Sequence, residues 1–292
     1  MPLFAIAAAL LAASCWGGNF SATKFILLDF PPLELLFLRF SIVSLLLAPF
    51  ALRKRPWPPM RDIAFISFTL LTLQFGCMFS AIHWGLSISS AVIASQMGVP
   101  FACVLSAVLH KDFLGPWRSA GLMVALFGVM VVAGTPNAAD HWVAFLIGIF
   151  GALAWAIANI RTKRLAHLSV TALQFWPALF SLPQFLLLTL LFEDHQIAHI
   201  EDSHWQAWAG LAYSVVISSL VGYGIWNWLV KHYPLSQIVP YTLFTPIVGI
   251  TAGALIFGDA ITAQMLLGTG LTIVGVAIIS LRRPKLVEPE VV

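Results

Sequence analysis

The sequence predicts an all-α integral membrane protein: ten transmembrane helices in two inverted five-helix repeats around a central cavity. Three observations carry this expectation. They are an apolar excess that no water-facing surface can absorb, a one-sided distribution of basic residues, and an internal repeat whose offset drifts slowly along the chain.

Of the 292 residues, 60% are apolar and 9% charged, and the mean hydropathy is +0.93. A soluble domain is roughly 45–50% apolar and roughly 25% charged. Fifteen basic and twelve acidic side chains are too few to cover a water-soluble fold of this size. The composition excludes a soluble enzyme, a disordered chain and a nucleic-acid binder.

A membrane-crossing helix needs roughly 20 apolar residues. Ten stretches qualify: 3–24, 33–51, 62–84, 89–109, 117–134, 142–160, 170–192, 206–229, 236–257 and 262–281. Residues 121–134 (GLMVALFGVMVVAG) do not alternate apolar and polar as a barrel strand would, so helices are expected. The first stretch has no Lys or Arg before Trp16 and so lacks the basic head of a signal peptide; it reads as a retained span. Cys15, Cys77 and Cys103 all fall inside spans, match no metal spacing and read as small apolar residues.

Basic residues gather in cytoplasmic loops. With the N-terminus inside, the inner segments hold Arg53, Lys54, Arg55, Arg61, Lys111, Arg118, Arg161, Lys163, Arg164, Lys231, Arg282, Arg283 and Lys285. That is 13 of 15, leaving only Lys24 and Arg39. The outer segments hold Asp29, Glu34, Asp140, Glu193, Asp194, Glu201, Asp202 and Asp259. Both termini are therefore expected on the cytoplasmic side of the membrane.

A shift of 139 carries Ala13, Trp16, Thr23 and Lys24 onto Ala152, Trp155, Thr162 and Lys163, with Asn19 one residue short of Asn159. A shift of 146 carries Ser90 and Pro100 onto Ser236 and Pro246, and sets Gln96 opposite Thr242. A shift of 147 carries Asp112, Gly121 and Gly128 onto Asp259, Gly268 and Gly275. The chain divides into repeats at 1–134 and 140–284, with a cytoplasmic tail at 285–292. Five spans per repeat is an odd number, so the second repeat enters the membrane from the opposite side. Inverted repeats are the architecture of secondary transporters, with a site near the midplane between the halves. Some channels share it.

Trp16-Gly17-Gly18-Asn19-Phe20, Pro31-Pro32 followed by Arg39, Val221-Gly222-Tyr223-Gly224-Ile225-Trp226 and the glycine-spaced fifth and tenth spans also carry a resemblance. Over about residues 3–284 the chain resembles the EamA branch of the drug/metabolite transporter superfamily. Within it, it is most similar to bacterial exporters of amino acids and related metabolites, the YddG type among them. The resemblance implies ten helices, cytoplasmic termini, a basket-like cavity, and fifth and tenth helices standing outside that cavity.

Polar residues inside a bilayer are costly and mark pathways. Trp16, Asn19 and Thr23 share a helix face, as do their repeat counterparts Trp155, Asn159 and Thr162. Ser219, Tyr223 and Asn227 follow at i, i+4, i+8, and so do Gln237, Tyr241 and Thr245. Gln74, His83 and Trp84 sit on the third span and Gln96 on the fourth. The expected substrate-binding set is Trp16, Asn19, Gln74, His83, Trp84, Gln96, Trp155, Asn159, Tyr223, Asn227 and Tyr241. Each polar member has the alternative role of bonding helix to helix. Trp57, Trp117, Trp142, Trp205 and Trp208 read as interfacial belt residues.

Pro100 and Pro246 each kink a span, either as hinges of gating helices or for packing. Gly121/Gly128 and Gly268/Gly275 read as close helix contacts. Arg39 is read as structural, with snorkelling or attraction of a substrate carboxylate as its alternatives. His195, His199 and His204 lie among acids, but a solvated acidic loop explains them, and no metal site is expected. No Asp or Glu lies deep in a span, which favours a neutral or zwitterionic solute over a dication.

The sequence thus predicts a secondary transporter exporting amino acids or related small metabolites by alternating access, and no enzyme. A channel for small solutes, or a receptor or scaffold that transports nothing, is the rival reading. The expected partners are the bilayer and a small-molecule substrate, with no cofactor and no nucleic acid; a homo-oligomer is left open.

Overall fold

The computed structural model describes residues 1–53, 57–110, 115–165, 167–233 and 238–281. Lys54, Arg55, Lys111, Asp112, Ser236, Gln237, Arg282, Arg283, Lys285 and the tail 285–292 lie outside the described residues. Among the described residues there is no strand.

The main elements are α1 (Leu3–Ile26), α2 (Pro32–Ala51), α3 (Met60–His83), α4 (Ile88–Gln96), α5 (Gly98–His110), α6 (Pro116–Ala133), α7 (Trp142–Arg164), α8 (Val170–Phe192), α9 (Trp205–His232), α10 (Phe244–Phe257) and α11 (Ala263–Leu281). Local chemistry sets several boundaries. Pro32 and Pro116 occupy the first helical turns of α2 and α6, where a missing N–H costs nothing. Ser87 and Ser169 cap α4 and α8 by accepting from the N–H groups of Ser90 and Ala172. Gly258 ends α10 in the left-handed conformation, φ +67°.

Two prolines interrupt the winding. A residue at position 100 would ordinarily donate its N–H to the Gln96 carbonyl; Pro100 cannot, and the helix breaks at Met97 between α4 and α5. Pro246 likewise leaves Thr242 without that donor, and Val239–Leu243 winds as a 3₁₀ turn ahead of α10. Two other stretches are π-helical, Ser67–Phe75 in α3 and Tyr213–Tyr223 in α9, and they begin 146 residues apart. A π winding adds a residue to the turn and is frequent at functional sites.

Side chains are distributed inside out relative to a soluble protein. Leu45, Phe68, Phe127, Leu187, Leu255 and Leu267 face outward, while Thr23, Arg39, Ser67, Ser181, Ser214 and Ser218 are buried. Among the described residues, eight helices are long and apolar enough to cross a membrane, and two shorter apolar helices, Tyr241–Phe257 and Ala263–Ile279, accompany them. The chain is a multi-pass membrane protein. α6 and α11 pack along their length through glycines: a Cβ on Gly128 would lie 2.7 Å from the Gly268 carbonyl oxygen, and one on Gly268 would lie 2.8 Å from that of Gly128.

One end of the bundle is acidic and laced together. The Glu193 carboxylate accepts from the N–H groups of Leu33 and Glu34, each at 2.8 Å, capping α2. His199 Nδ1 meets Glu34 at 2.9 Å, and Asp29 accepts from the His204 N–H at 2.7 Å. Burial pushes the Asp29 carboxyl up, but the N–H and ring of His204 outweigh it and hold the group below its ordinary value. Asp259 accepts from the Ser89 N–H at 3.1 Å and hydroxyl at 3.0 Å, and pairs with Lys24 at 3.7 Å. The opposite end is basic, and there Arg161 binds Asp62.

Candidate functional site

Two adjoining cavities lie in the middle of the bundle. Trp16 of α1, Phe75 of α3, Trp155 of α7 and Tyr223 of α9 line both and form the boundary between them. Trp16 lies 5.0 Å from Tyr223 and 5.3 Å from Trp226 between ring centroids, and Phe75 lies 6.4 Å from Tyr223. Glycine makes room for this boundary. A Cβ on Gly98, just past the Met97 break, would lie 2.7 Å from Trp155.

The cavity toward the basic end is walled by Arg39, Asn159, Thr162, Lys163, Gln174, Ser219 and Asn227 together with apolar residues of α2, α3 and α8. The other cavity is walled by Asn19, Gln74, Ser95, Gln96, Ser218, Thr242 and Thr245. Neither lining includes a residue of α6 or α11.

Of the residues expected from sequence, Trp16, Asn19, Gln74, Gln96, Trp155, Asn159, Tyr223 and Asn227 come together on these walls. His83 and Trp84 end the third helix on its exposed tip and stand outside both cavities. Tyr241 falls in the 3₁₀ turn and packs on the Trp226, Leu229 and Ile238 cluster instead. Pro100 and Pro246 sit directly behind the breaks that place Gln96 and Thr242 on the wall. Of the three histidines in the acidic segment, His199 pairs with Glu34 and His204 with Asp29.

The wall residues differ in how far their polar groups are already used. Asn19 is committed between helices: its oxygen accepts from Ser214 at 2.6 Å. Asn159 donates back to the Trp155 carbonyl at 2.8 Å. In contrast, Trp16 Nε1, Gln74 Oε1, Gln96 Nε2 and Arg39 Nη1 are buried without a hydrogen-bond partner. Buried polar atoms are normally paired, so orphans converging on a cavity are groups available to a ligand.

Sequence reasoning passed over Gln174 and Phe75 and read Arg39 as structural. Gln174 carries the signal that also marks Gln96, an amide inside an apolar span, and it lies three residues ahead of Pro177. Its Nε2 donates to the Ser219 carbonyl at 3.3 Å, inside the π winding of α9.

Comparison with known proteins places these features in a family. The EamA-like transporter family matches twice, over residues 3–134 and 142–281. A probable amino-acid metabolite efflux pump of Salmonella typhimurium (strain LT2) is 30% identical over 278 residues, covering 92% of each chain. A protein of the same description from Escherichia coli (strain K12) is 29% identical, again over 92% of each. A crystal structure at 18% identity superposes with a TM-score of 0.67 over 95% of this chain and 96% of its own, a likeness of fold. The chain belongs to the EamA-like transporter family and is a membrane transporter, not an enzyme.

Proposed function

We propose that this protein is a secondary transporter that exports amino acids or related small metabolites by alternating access. The observation that carries the reading is the mid-bundle cavity pair, whose shared aromatic boundary draws Trp16 from one half and Trp155 from the other. A midplane site between two inverted repeats is expected to draw on equivalent positions of both. The substrate contacts Trp16, Asn19, Gln74, Gln96, Trp155, Asn159, Tyr223 and Asn227.

The architecture proposed is ten spans in two inverted five-helix repeats, 1–134 and 140–284. Three features support it: the double family match, the π windings that begin 146 residues apart, and the breaks at Met97 and Leu243 with the same spacing. Those breaks serve as the hinges. The basic end faces the cytoplasm, with both termini there. In this state the lining reaches Lys163 at the basic end, while Lys24, Ser89 and Asp259 close the acidic end. The names of the two efflux-pump relatives support amino-acid metabolites as the cargo.

Purified protein in proteoliposomes tests the reading. Saturable counterflow of at least one labelled amino acid is expected. Flux that rises linearly with concentration indicates a pore, and no flux across an amino-acid panel removes the assignment.

A further inference from the structure

Arg39 is the deepest charge in the bundle. Its side chain is 0% exposed. Nε donates to Ser219 Oγ at 3.1 Å, and Nη2 donates to Ser219 Oγ at 3.0 Å and Ser218 Oγ at 3.2 Å. The π winding of α9 presents these two consecutive hydroxyls. The guanidinium carbon lies 4.8 Å from the Phe75 ring centroid, 5.5 Å from Phe40 and 5.8 Å from Phe79. Nη1 has no partner, and among the described residues no carboxylate pairs with the group.

A guanidinium carries five N–H donors in a planar fork that matches a carboxylate. Three ring faces and two neutral hydroxyls leave its charge uncompensated in a low-dielectric interior, and an uncompensated buried charge is costly. The rest of the cavity wall does not help. Its other charged side chain is Lys163, and no Asp or Glu lines either cavity among the described residues. The fixed charge at the site is therefore positive. An anionic group on the solute supplies what is missing, and nothing acidic awaits an ammonium.

We infer that the cavity selects solutes by their carboxylate, received by the free edge of Arg39, and does not require their amino group. The inference rests on the transporter reading for its physiological meaning. Phe75, which lines both cavities and covers the guanidinium, is the ring a carboxylate displaces to reach Nη1. The solute's apolar side chain then lies among Trp16, Trp155 and Tyr223. Organic carboxylates and N-acylated amino acids bind on this account; amines and amino amides do not.

The test is ligand-induced thermal stabilisation of the full chain purified in detergent. The probes are phenylalanine, leucine and threonine, each as free acid, N-acetyl acid, amide and decarboxylated amine. In at least one set, the acid and N-acetyl acid are expected to act at concentrations about tenfold or more below the amide and amine, the order of one charge-assisted pair. Arg39→Gln abolishes that preference. If Arg39→Gln does not fold, Arg39→Lys keeps the charge, loses the fork and weakens the acids selectively. Equal action of amide or amine, failure of the N-acetyl acids, no stabilisation by any probe, or an unchanged preference in Arg39→Gln overturns the inference. A carboxylate preference without counterflow leaves the inference standing and removes the transporter reading alone.

Discussion

Trp16 and Tyr223 meet with ring centroids 5.0 Å apart at 52°, at the level where the two cavities share their walls. The contact joins α1 to α9, and Trp155 and Phe75 complete the boundary from α7 and α3. A solute passing from one cavity to the other crosses this ring layer.

Trp155→Ala is expected to raise the apparent KM in counterflow by about tenfold, the effect of losing one aromatic face against the solute's apolar side chain. Trp16→Ala raises KM too, and it also lowers Tm, because Trp16 packs on Trp226 at 5.3 Å. Unchanged KM in both variants, with lower Tm, would assign these rings to packing.

Gly98→Ala places a methyl 2.7 Å from Trp155 where the helix is already broken. Overpacking of this kind costs typically about 1–3 kcal/mol. We expect lower transport as the ring is pushed into the cavity, and recovery in the double variant Gly98→Ala/Trp155→Phe, measured by counterflow. Absence of rescue would separate Gly98 from the ring layer.

Gly128→Leu forces α6 and α11 apart, since the Gly268 carbonyl oxygen lies 2.7 Å from the first added atom. Among the described residues, neither helix contributes to the walls of the two central cavities. Thermal melting of the purified protein should show a lower Tm, while KM of the protein that survives stays as in the wild type. A raised KM would mean that this helix pair shapes the site.

How much of this was legible follows from what each residue depends on. The expected span 170–192 coincides with α8 because length and hydropathy alone define it, whereas the α-helix within 236–257 starts only at Phe244, after the 3₁₀ turn. That Trp16, Trp155, Tyr223 and Asn227 reach a cavity wall was legible because helical phase fixes the direction of a side chain. Tyr241 was not, since its phase from Gln237 assumed α-helix where the chain winds as 3₁₀. His83 and Trp84 share the third helix with Gln74, but sequence does not say how far toward its end the cavity extends. Arg39 was read as structural because its partners depend on a π winding about 180 residues away in sequence, which no hydropathy pattern reveals.

Orientation is open to direct labelling. Asp202 at the acidic end and Arg164 at the basic end are both exposed. In a background without Cys15, Cys77 and Cys103, Asp202→Cys should react with an impermeant thiol reagent in whole cells. Arg164→Cys should react only after permeabilisation. The reverse pattern would invert the topology.

The central claim is that the acidic end must open for a solute to leave. Lys24 and Asp259 pair at that end at 3.7 Å, so the decisive measurement is counterflow by a Lys24→Cys/Asp259→Cys variant, free of the native cysteines, joined by a short reducible bifunctional thiol reagent. Flux should cease on cross-linking and return on reduction. Undiminished flux with the cross-link quantitatively formed would contradict alternating access through this end.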